Sequence, residues 1–312
     1  MSSPTQTSSS SSERAISQLS VEQSANAFRS IFPLTATQFV ASPTPDAASY
    51  IAYEDTGDIG ENLPVLFFVP GMGELRQTYR FIAPHFNREG HRVLCMDLRG
   101  AGQSTANFTN YTPEDVVTDM IRVLDHAQIK SPIVIIGNSL AGASANIFAS
   151  KYPEKVQNII LINGIVRDMP ADKFFRPASR LLFLPIWGTT VWLTYWHTLF
   201  PDPSQKPADF EIYATALKKN LYESGRLYAL KMYAQATKEP AWECATQVTC
   251  PVLTIYGSKD PDYPDPAGEP EIVRPRYAKA KSFKSVVLDG LGHYPHVEDP
   301  QKVIKLISEF LS

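Results

Sequence analysis

Residues 133–152 constrain the fold of this chain more than any other segment. They begin with the apolar run Ile133–Ile136, pass through the glycine-flanked Ser139 and end in a small-residue helical pattern over Leu140–Tyr152. A buried strand that turns sharply into a helix strains the backbone at the turn, so the residues around it must be small. Gly137, two residues before the serine, meets this requirement. The pattern predicts a nucleophile elbow, and a tight turn with an incidental serine is the alternative.

Apolar runs and helical patterns alternate along most of the chain. Apolar runs without strict alternation are typical of strands covered on both faces, as in a parallel sheet flanked by helices. The order predicts an α/β fold with a mostly parallel sheet of roughly eight strands. The predicted strands are Thr37–Ala41, Tyr50–Tyr53, Val65–Val69, Val93–Met96, Ile133–Ile136, Ile159–Ile162, Val252–Tyr256 and Val286–Leu288, and the predicted helices are Leu75–Arg88, Pro113–Ala127, Leu140–Tyr152 and Pro300–Leu311.

The alternation is interrupted after the sixth predicted strand. Residues 166–241 are rich in proline and aromatic residues and hold three of the four tryptophans in the chain. We expect this segment to form a helical cap on a core of residues 31–165 and 242–312. Residues 1–30 begin with a run of Ser, Thr, Pro and Gln that cannot bury enough apolar surface to fold, so we expect an irregular segment there.

One stretch of the cap, Leu181–Phe200, has no Asp, Glu, Lys or Arg and is long enough to span a bilayer. Pro185, Gly188 and several threonines interrupt its apolar character, which favours a lid over a pocket and argues against a transmembrane span. We expect the lid to contact an apolar small-molecule substrate. The candidate pocket residues are Trp187, Trp192, Trp196 and His197.

Composition argues against several other classes of function. The formal net charge is −3 and the basic residues are scattered, so the basic stripe that nucleic-acid binding needs is missing. The three cysteines, Cys95, Cys244 and Cys250, lack metal-ligand spacing, which favours a reducing, cytoplasmic location and no metal site. Gly71-Met72-Gly73 lacks the Lys-Ser/Thr ending of a phosphate-binding loop, which argues against nucleotide binding. Nothing in the sequence indicates an oligomeric state.

Two later loops supply the partners that a nucleophilic serine needs. A serine requires a base to take its proton and a third group to orient that base. Asp260 follows the strand Val252–Tyr256, and His293 follows the next strand. Loops at the carboxyl ends of parallel strands lie at one edge of the sheet, so we expect Ser139, Asp260 and His293 to converge there.

These motifs resemble the α/β-hydrolase fold superfamily, and within it the capped, serine esterase-like branch. The chain order Ser, Asp, His is the one this superfamily uses. The resemblance covers roughly residues 35–312, is weakest in the cap, and implies an α/β-hydrolase core with a helical cap inserted after the sixth strand. The family's strand-end signature is present as Asp97, Arg99, Gly100, Gly102 and Ser104, and its closing signature as Gly292, His293, Glu298 and Pro300.

The resemblance also assigns an oxyanion loop to Pro70-Gly71-Met72-Gly73, where proline replaces the family's histidine. The donor in this loop is the backbone amide of the residue after the glycine, so the resemblance implies that Met72 still serves, with Leu140 supplying the second amide. We expect Glu74 to stabilise a helix N-terminus. Contact between Glu74 and the substrate is the alternative.

Other residues compete for the acid and base roles. Asp262 and Asp265 lie in the same loop as the predicted acid, and Asp168 follows an earlier strand. Asp260 has the spacing after its strand that best fits the family. His296 follows the predicted base by three residues, but it lacks the preceding glycines, which favours a supporting or cap contact.

The sequence thus predicts a cofactor-free serine hydrolase acting on an ester, lactone or thioester with an apolar portion. Ser139 would attack the acyl carbon, His293 would transfer its proton, and Asp260 would orient the imidazole. Serine at the elbow, where epoxide hydrolases and haloalkane dehalogenases of this fold use Asp, argues against those activities. Carbon–carbon cleavage of a β-diketone-like substrate and a ligand-binding receptor on a hydrolase scaffold stay open as alternatives.

Overall fold

The computed structural model describes residues 34–42, 49–57 and 63–312. Segment 1–30, predicted to be irregular, lies outside these residues. Within the described residues, one sheet contains eight strands, and they correspond to the eight predicted strands with ends shifted by up to three residues. The strands are β1 (Gln38–Ala41), β2 (Tyr50–Asp55), β3 (Val65–Val69), β4 (Val93–Met96), β5 (Ile133–Asn138), β6 (Val156–Ile162), β7 (Val252–Gly257) and β8 (Phe283–Leu288).

Helices flank this sheet and form the insertion between β6 and β7. The predicted helix over Leu75–Arg88 is wrong in its first half, because the chain makes a 3₁₀ turn at Arg76–Tyr79 and Pro84 suits only the first turn of the helix that follows. The helices are α1 (Ala83–Arg88), α2 (Pro113–His126), α3 (Ala141–Lys151), α4 (Asp172–Leu182), α5 (Gly188–Thr198), α6 (Phe210–Leu221), α7 (Arg226–Gln235), α8 (Glu239–Ala245), α9 (Glu269–Val273), α10 (Pro295–Glu298) and α11 (Pro300–Leu311).

The strand order is β1-β2-β4-β3-β5-β6-β7-β8, in which β2 runs antiparallel to both neighbours and β3 to β8 are parallel. This confirms the predicted mostly parallel sheet. The chain leaves β3 for β4 on one side and returns to β5 on the other. Ligand sites in open α/β sheets lie at such a reversal, outside the carboxyl ends of the strands.

The continuous apolar strands are explained by burial on both faces. In β3, Phe67 packs into a core cluster with residues of α2 and α3, whereas Leu66 and Phe68 pack on the opposite face with residues of α1 and α11. Successive side chains of a strand point to opposite faces, so a strand between two helical layers must be apolar at every position.

The insertion after β6 is helical, with α4 to α7 gathered around a second apolar cluster. The predicted boundary at residue 241 falls inside α8, where Ala241 and Ala245 belong to the main core cluster. We call the segment from α4 to α7 the cap. The division of the chain into core and cap domains, with the cap acting as a lid, stays a prediction. Leu181–Phe200 forms the end of α4, a turn and α5, and among the described residues we find no helix with the length and apolarity that a bilayer crossing demands.

Candidate active site

Ser139 lies at the turn between β5 and α3, in a left-handed backbone conformation with a φ of +55°. This conformation costs a residue other than glycine roughly 1–3 kcal/mol and persists only where the surroundings enforce it. Here the amide of Ser139 donates to the carbonyl of Ile162 at 3.2 Å, and its own carbonyl accepts from Gly142 and Ile165, both at 2.9 Å. The strained strand-to-helix turn that the sequence predicts is therefore present.

Close contacts around this turn explain the small residues. A methyl group on Gly137 would lie 2.9 Å from a backbone carbonyl oxygen of α3, and one on Gly71 would lie 2.8 Å from Cβ of Ser139. The loop after β3 thus passes directly against Ser139. Met72 of this loop and Ser139 line the same cavity. Leu140 follows the serine, immediately before α3.

The predicted acid and base meet beyond the carboxyl ends of β7 and β8. The carboxylate Oδ2 of Asp260 lies 2.7 Å from Nδ1 of His293, and both side chains are buried. Oδ1 of Asp260 also accepts from the amide of Asp262 at 2.9 Å, which fixes the carboxylate in its loop. His293 and Ser139 line the same cavity, so all three predicted residues lie at one edge of the sheet.

A second carboxylate accompanies this pair. Oδ2 of Asp262 lies 3.4 Å from Nδ1 of His293, and its Oδ1 accepts a hydrogen bond from the Tyr195 hydroxyl. Burial raises the pKa of Asp262, while the neighbouring His293 opposes that rise. Asp260 has the shorter contact with the imidazole, as the sequence predicts, and Asp262 adds negative charge beside it.

The other candidates for the acid and base roles form hydrogen bonds elsewhere. Asp265 accepts from the amide of Gly268 at 3.0 Å, and Asp168 accepts from the amide of Lys238 at 2.7 Å. His296 is buried with its Nε2 3.1 Å from Oγ1 of Thr78. Burial, together with the charges of neighbouring groups, lowers the pKa of His296 to about 3. Its imidazole is therefore neutral at physiological pH.

The charge balance around His293 favours the imidazolium. Burial alone would lower the pKa of His293, but the carboxylates of Asp260 and Asp262 and the hydrogen bond that the ring donates to Asp260 outweigh it and raise the pKa to about 9. A group that must accept a proton from serine acts in its neutral form. The two carboxylates thus set the pH range in which His293 can act as a base.

Buried polar side chains that sequence reasoning missed hold the elbow against the His293 loop. Nδ2 of Asn138 lies 3.3 Å from the carbonyl oxygen of His293, and Nδ2 of Asn163 donates to the carbonyl of Gly292 at 2.8 Å. Glu298 accepts from the amides of Gly292 and Tyr294 on either side of the histidine. Glu298 belongs to the closing signature, which offered a signal, whereas the two asparagines have none in a single sequence.

A cavity of about 260 Å³ opens beside Ser139 and His293. Most of its wall is apolar, and α4 and α5 of the cap supply part of it. Asp172 and the buried Lys238 add a polar pair, with 3.4 Å between Nζ and Oδ2. The apolar and aromatic residues of the wall are Met72, Ile165, Met169, Ala171, Phe175, Trp192, Tyr195, Leu199, Ala234, Pro261 and Tyr294.

Of the four predicted pocket residues, Trp192 contributes to this wall. Trp187 is exposed on the outside of the cap and donates to the carbonyl of Leu181 at 2.9 Å. Trp196 is buried in the aromatic cluster of the cap, and His197 packs against its ring. Composition reveals that a segment is rich in aromatic rings, but the packing of the helices decides which rings face the cavity.

Glu74 has a different role from the one expected of it. Its carboxylate is buried and accepts hydrogen bonds from Nε1 of Trp196 and from the hydroxyls of Tyr213 and Tyr294. Burial raises the pKa of Glu74, and these three donors oppose the rise. Trp196 and Tyr213 belong to the cap, whereas Tyr294 follows the predicted base. Glu74 therefore joins the loop after β3, the cap and the His293 loop, and it caps no helix.

The ligand atoms of Asp260, Asp262 and His293 lie within 4.8 Å of one another, which is compatible with metal binding. The hydrogen bond between Asp260 and Nδ1 of His293 already uses the ring nitrogen nearest to both carboxylates. The arrangement is therefore compatible with a proton-transfer group as well as with a metal site.

Residues 64–300 match the model of the alpha/beta hydrolase fold family. The match covers well over half of the chain, and the chain belongs to this family. This confirms the resemblance drawn from the motifs and the prediction of a hydrolase.

Two curated relatives and one solved structure illustrate the similarity. The chain is 25% identical to "Putative 2-succinyl-6-hydroxy-2,4-cyclohexadiene-1-carboxylate synthase" of Bacillus subtilis, over 71% of this chain and 81% of that protein. It is 24% identical to human "Epoxide hydrolase 4", over 85% of this chain and 76% of that protein. A thermophilic esterase from Thermogutta terrifontis superposes with a TM-score of 0.67 at 21% identity, covering 89% of this chain and 98% of that one.

Proposed function

We propose that this protein is a serine hydrolase that cleaves a carboxylic ester, lactone or thioester through Ser139, His293 and Asp260. One observation carries the proposal: the strained Ser139 lines the same cavity as His293, whose Nδ1 lies 2.7 Å from the buried carboxylate of Asp260. A serine, a base and an orienting acid in this relation are the parts that acyl transfer needs.

In the proposed reaction, Oγ of Ser139 attacks the carbonyl carbon while neutral His293 takes its proton through Nε2. Asp260 holds the ring by Nδ1 and stabilises the imidazolium. The amides of Met72 and Leu140 donate to the developing oxyanion, where the loss of one donor typically costs about 3 kcal/mol. His293 then protonates the leaving group, and water attacks the acyl-enzyme by the same route in reverse.

The cavity wall supports a substrate with an apolar portion of modest size. The volume of about 260 Å³ lies near the lower end of small-molecule sites. Met169, Phe175, Trp192 and Leu199 offer apolar contacts, and the Asp172–Lys238 pair offers a polar one. Short-chain esters and lactones therefore suit the cavity better than long acyl chains.

The residue at the nucleophile elbow separates this proposal from the epoxide hydrolase activity that the name of the human relative states. The elbow carries Ser139, not the aspartate with which epoxide hydrolases of this fold form their ester intermediate. An acyl-enzyme on serine requires an acyl substrate, so we place ester, lactone and thioester cleavage first.

Steady-state hydrolysis of a panel of short-chain nitrophenyl esters, lactones and thioesters tests the proposal. Ser139→Ala should lower kcat by at least about three orders of magnitude. Ser144→Ala, which removes a buried α3 hydroxyl bonded to the Pro113 carbonyl at 3.1 Å, is the matched control and should retain most of the activity. Wild-type rates in the Ser139→Ala variant would reject the assignment.

Removal of metal ions tests whether Asp260, Asp262 and His293 transfer protons, as we propose, or bind a metal ion. Dialysis against a chelator should leave the rate on a responsive ester unchanged, because the proposed mechanism uses side chains and backbone amides alone. A loss of activity that added Zn²⁺ or Mn²⁺ restores would instead assign Asp260, Asp262 and His293 to a metal site.

A further inference from the structure

The outer face of the cap carries a cluster of exposed, large apolar side chains. The exposed fractions are 71% for Phe174, 68% for Leu181, 87% for Ile186 and 44% for Trp187. Phe174 and Leu181 are seven residues apart on α4 and share one helix face. The indole of Trp187 donates to the carbonyl of Leu181 at 2.9 Å, which joins the following turn to that face. We call these four residues the cap patch.

Charge near the cap patch is basic. Lys173 and Arg180 are exposed on α4, and Nζ of Lys173 lies 5.0 Å from the centre of the Phe174 ring. Asp172 is the one acidic residue in the segment 172–187, and it lies beside Lys238 and Arg176. The chain as a whole has a net charge of −3, so this basic, apolar surface differs from the average surface.

We propose that the cap patch docks the protein onto an anionic lipid surface. Aromatic and aliphatic side chains flanked by basic residues are typical of segments that lie in the interface of a bilayer. Each Lys or Arg near an anionic leaflet adds attraction. Ile186 protrudes into solvent, which suits insertion between headgroups better than a groove on another protein. In a dimer formed through the cap patch, Lys173 and Arg180 of one copy would lie near those of the other. Repulsion between these positive charges opposes self-association.

The position of α4 connects this surface to the cavity. Phe174 faces outward, while its neighbour Phe175 and the nearby Asp172 line the cavity beside Ser139. One helix therefore separates the lipid-facing surface from the candidate active site. An apolar substrate dissolved in a membrane would have a short path into the cavity. Docking itself does not depend on the proposed function.

Co-sedimentation with vesicles tests this proposal on the full chain. Binding should be stronger to vesicles of phosphatidylcholine with phosphatidylglycerol than to phosphatidylcholine alone, and should weaken as salt is raised. The double variant Lys173→Gln/Arg180→Gln should weaken binding to the anionic vesicles by about 30-fold. Leu181→Ser/Ile186→Ser should weaken binding to both kinds of vesicle by at least about tenfold.

A matched control keeps the test specific. Ile272→Ser changes an isoleucine that is 46% exposed on α9, outside the cap patch, and should bind vesicles like the wild type. Melting temperatures verify that all variants fold. Three results would overturn the proposal: no vesicle binding by the wild type, equal loss in the Ile272→Ser variant, or a concentration-dependent dimer in sedimentation velocity that Leu181→Ser/Ile186→Ser abolishes.

Discussion

At the scale of single residues, position relative to the strands made the candidate triad predictable. Ser139, Asp260 and His293 each follow an apolar run, and parallel strands bring such positions to one edge. The sequence offers Asp262 as a rival to Asp260, but it does not predict that both carboxylates lie near His293. Asp262 lies in the same loop as Asp260, but its 3.4 Å contact with the imidazole depends on how that loop folds back after β7.

This second carboxylate leads to a prediction about pH. The raised pKa of His293, about 9, means that the neutral base forms only as the pH rises through that value. The pH profile of kcat/KM should therefore increase towards alkaline pH and level off above about 9. Asp262→Asn removes a negative charge beside the ring, lowers the pKa of His293 and should shift the rising limb to lower pH.

The control for this shift is Asp265→Asn, which changes an aspartate of the same loop that accepts from the Gly268 amide. Its profile should overlay that of the wild type. A profile of the Asp262→Asn variant that stays in place, or that moves to higher pH, would show that Asp262 does not influence the base.

At the scale of elements, the loop after β3 organises the site. It brings Gly71 close to Ser139 and places Met72 in the cavity wall, and Glu74 accepts from three aromatic donors of the cap and of the His293 loop. Further along, Arg80 forms a bidentate ion pair with Asp209 of the cap, with both distances at 2.7 Å. The sequence marks this loop through its glycines, but the partners of Glu74 lie more than 120 residues away and leave no local pattern.

Removal of the Glu74 carboxylate should destabilise the protein strongly. In Glu74→Ala, the buried donors of Trp196, Tyr213 and Tyr294 lose their shared acceptor, and each unsatisfied buried group costs about 1–3 kcal/mol. We expect the free energy of unfolding to fall by about 3 kcal/mol, with a smaller loss in Glu74→Gln, which keeps one acceptor oxygen. Urea unfolding followed by circular dichroism measures both values.

Glu271→Ala provides the comparison for this prediction. Its side chain is 75% exposed, and its ion pair with Arg274 spans 3.4 Å at the surface. Such a pair contributes little, so the change should stay within about 0.5 kcal/mol. A Glu74→Ala variant as stable as Glu271→Ala would contradict the role given to the buried carboxylate.

At the scale of the whole molecule, the order of strands and helices is the part that the sequence predicts best. Double-sided burial makes each parallel strand a continuous apolar run, and such runs stand out in a single sequence. The cap is harder to predict because its helices pack against each other through irregular aromatic contacts. Its existence follows from the interrupted alternation after β6, whereas the inward-facing positions of Trp192, Met169 and Phe175 do not.

The signature residues after β4 illustrate how distant strands are tied together. Buried Arg76 donates to Glu54 of β2 at 2.7 Å and also pairs with Asp97, the first residue of that signature. Arg76→Met would leave two buried carboxylates without their cation and should lower the free energy of unfolding by about 3–5 kcal/mol. Lys302→Met, at an exposed i,i+3 pair on α11, should change it by less than about 0.5 kcal/mol in the same denaturation experiment. Equal stabilities would contradict this account of the network.

The central claim is that Ser139 is an activated nucleophile, and labelling with a fluorophosphonate probe tests it most directly. Intact-mass measurement should detect a single adduct on the wild type, located at Ser139 by peptide mapping and absent from folded Ser139→Ala and His293→Ala variants. The Ser144→Ala variant should label like the wild type. A wild-type protein that stays unlabelled while folded, or an adduct that persists in Ser139→Ala, would contradict the claim and favour a ligand-binding role for the same cavity.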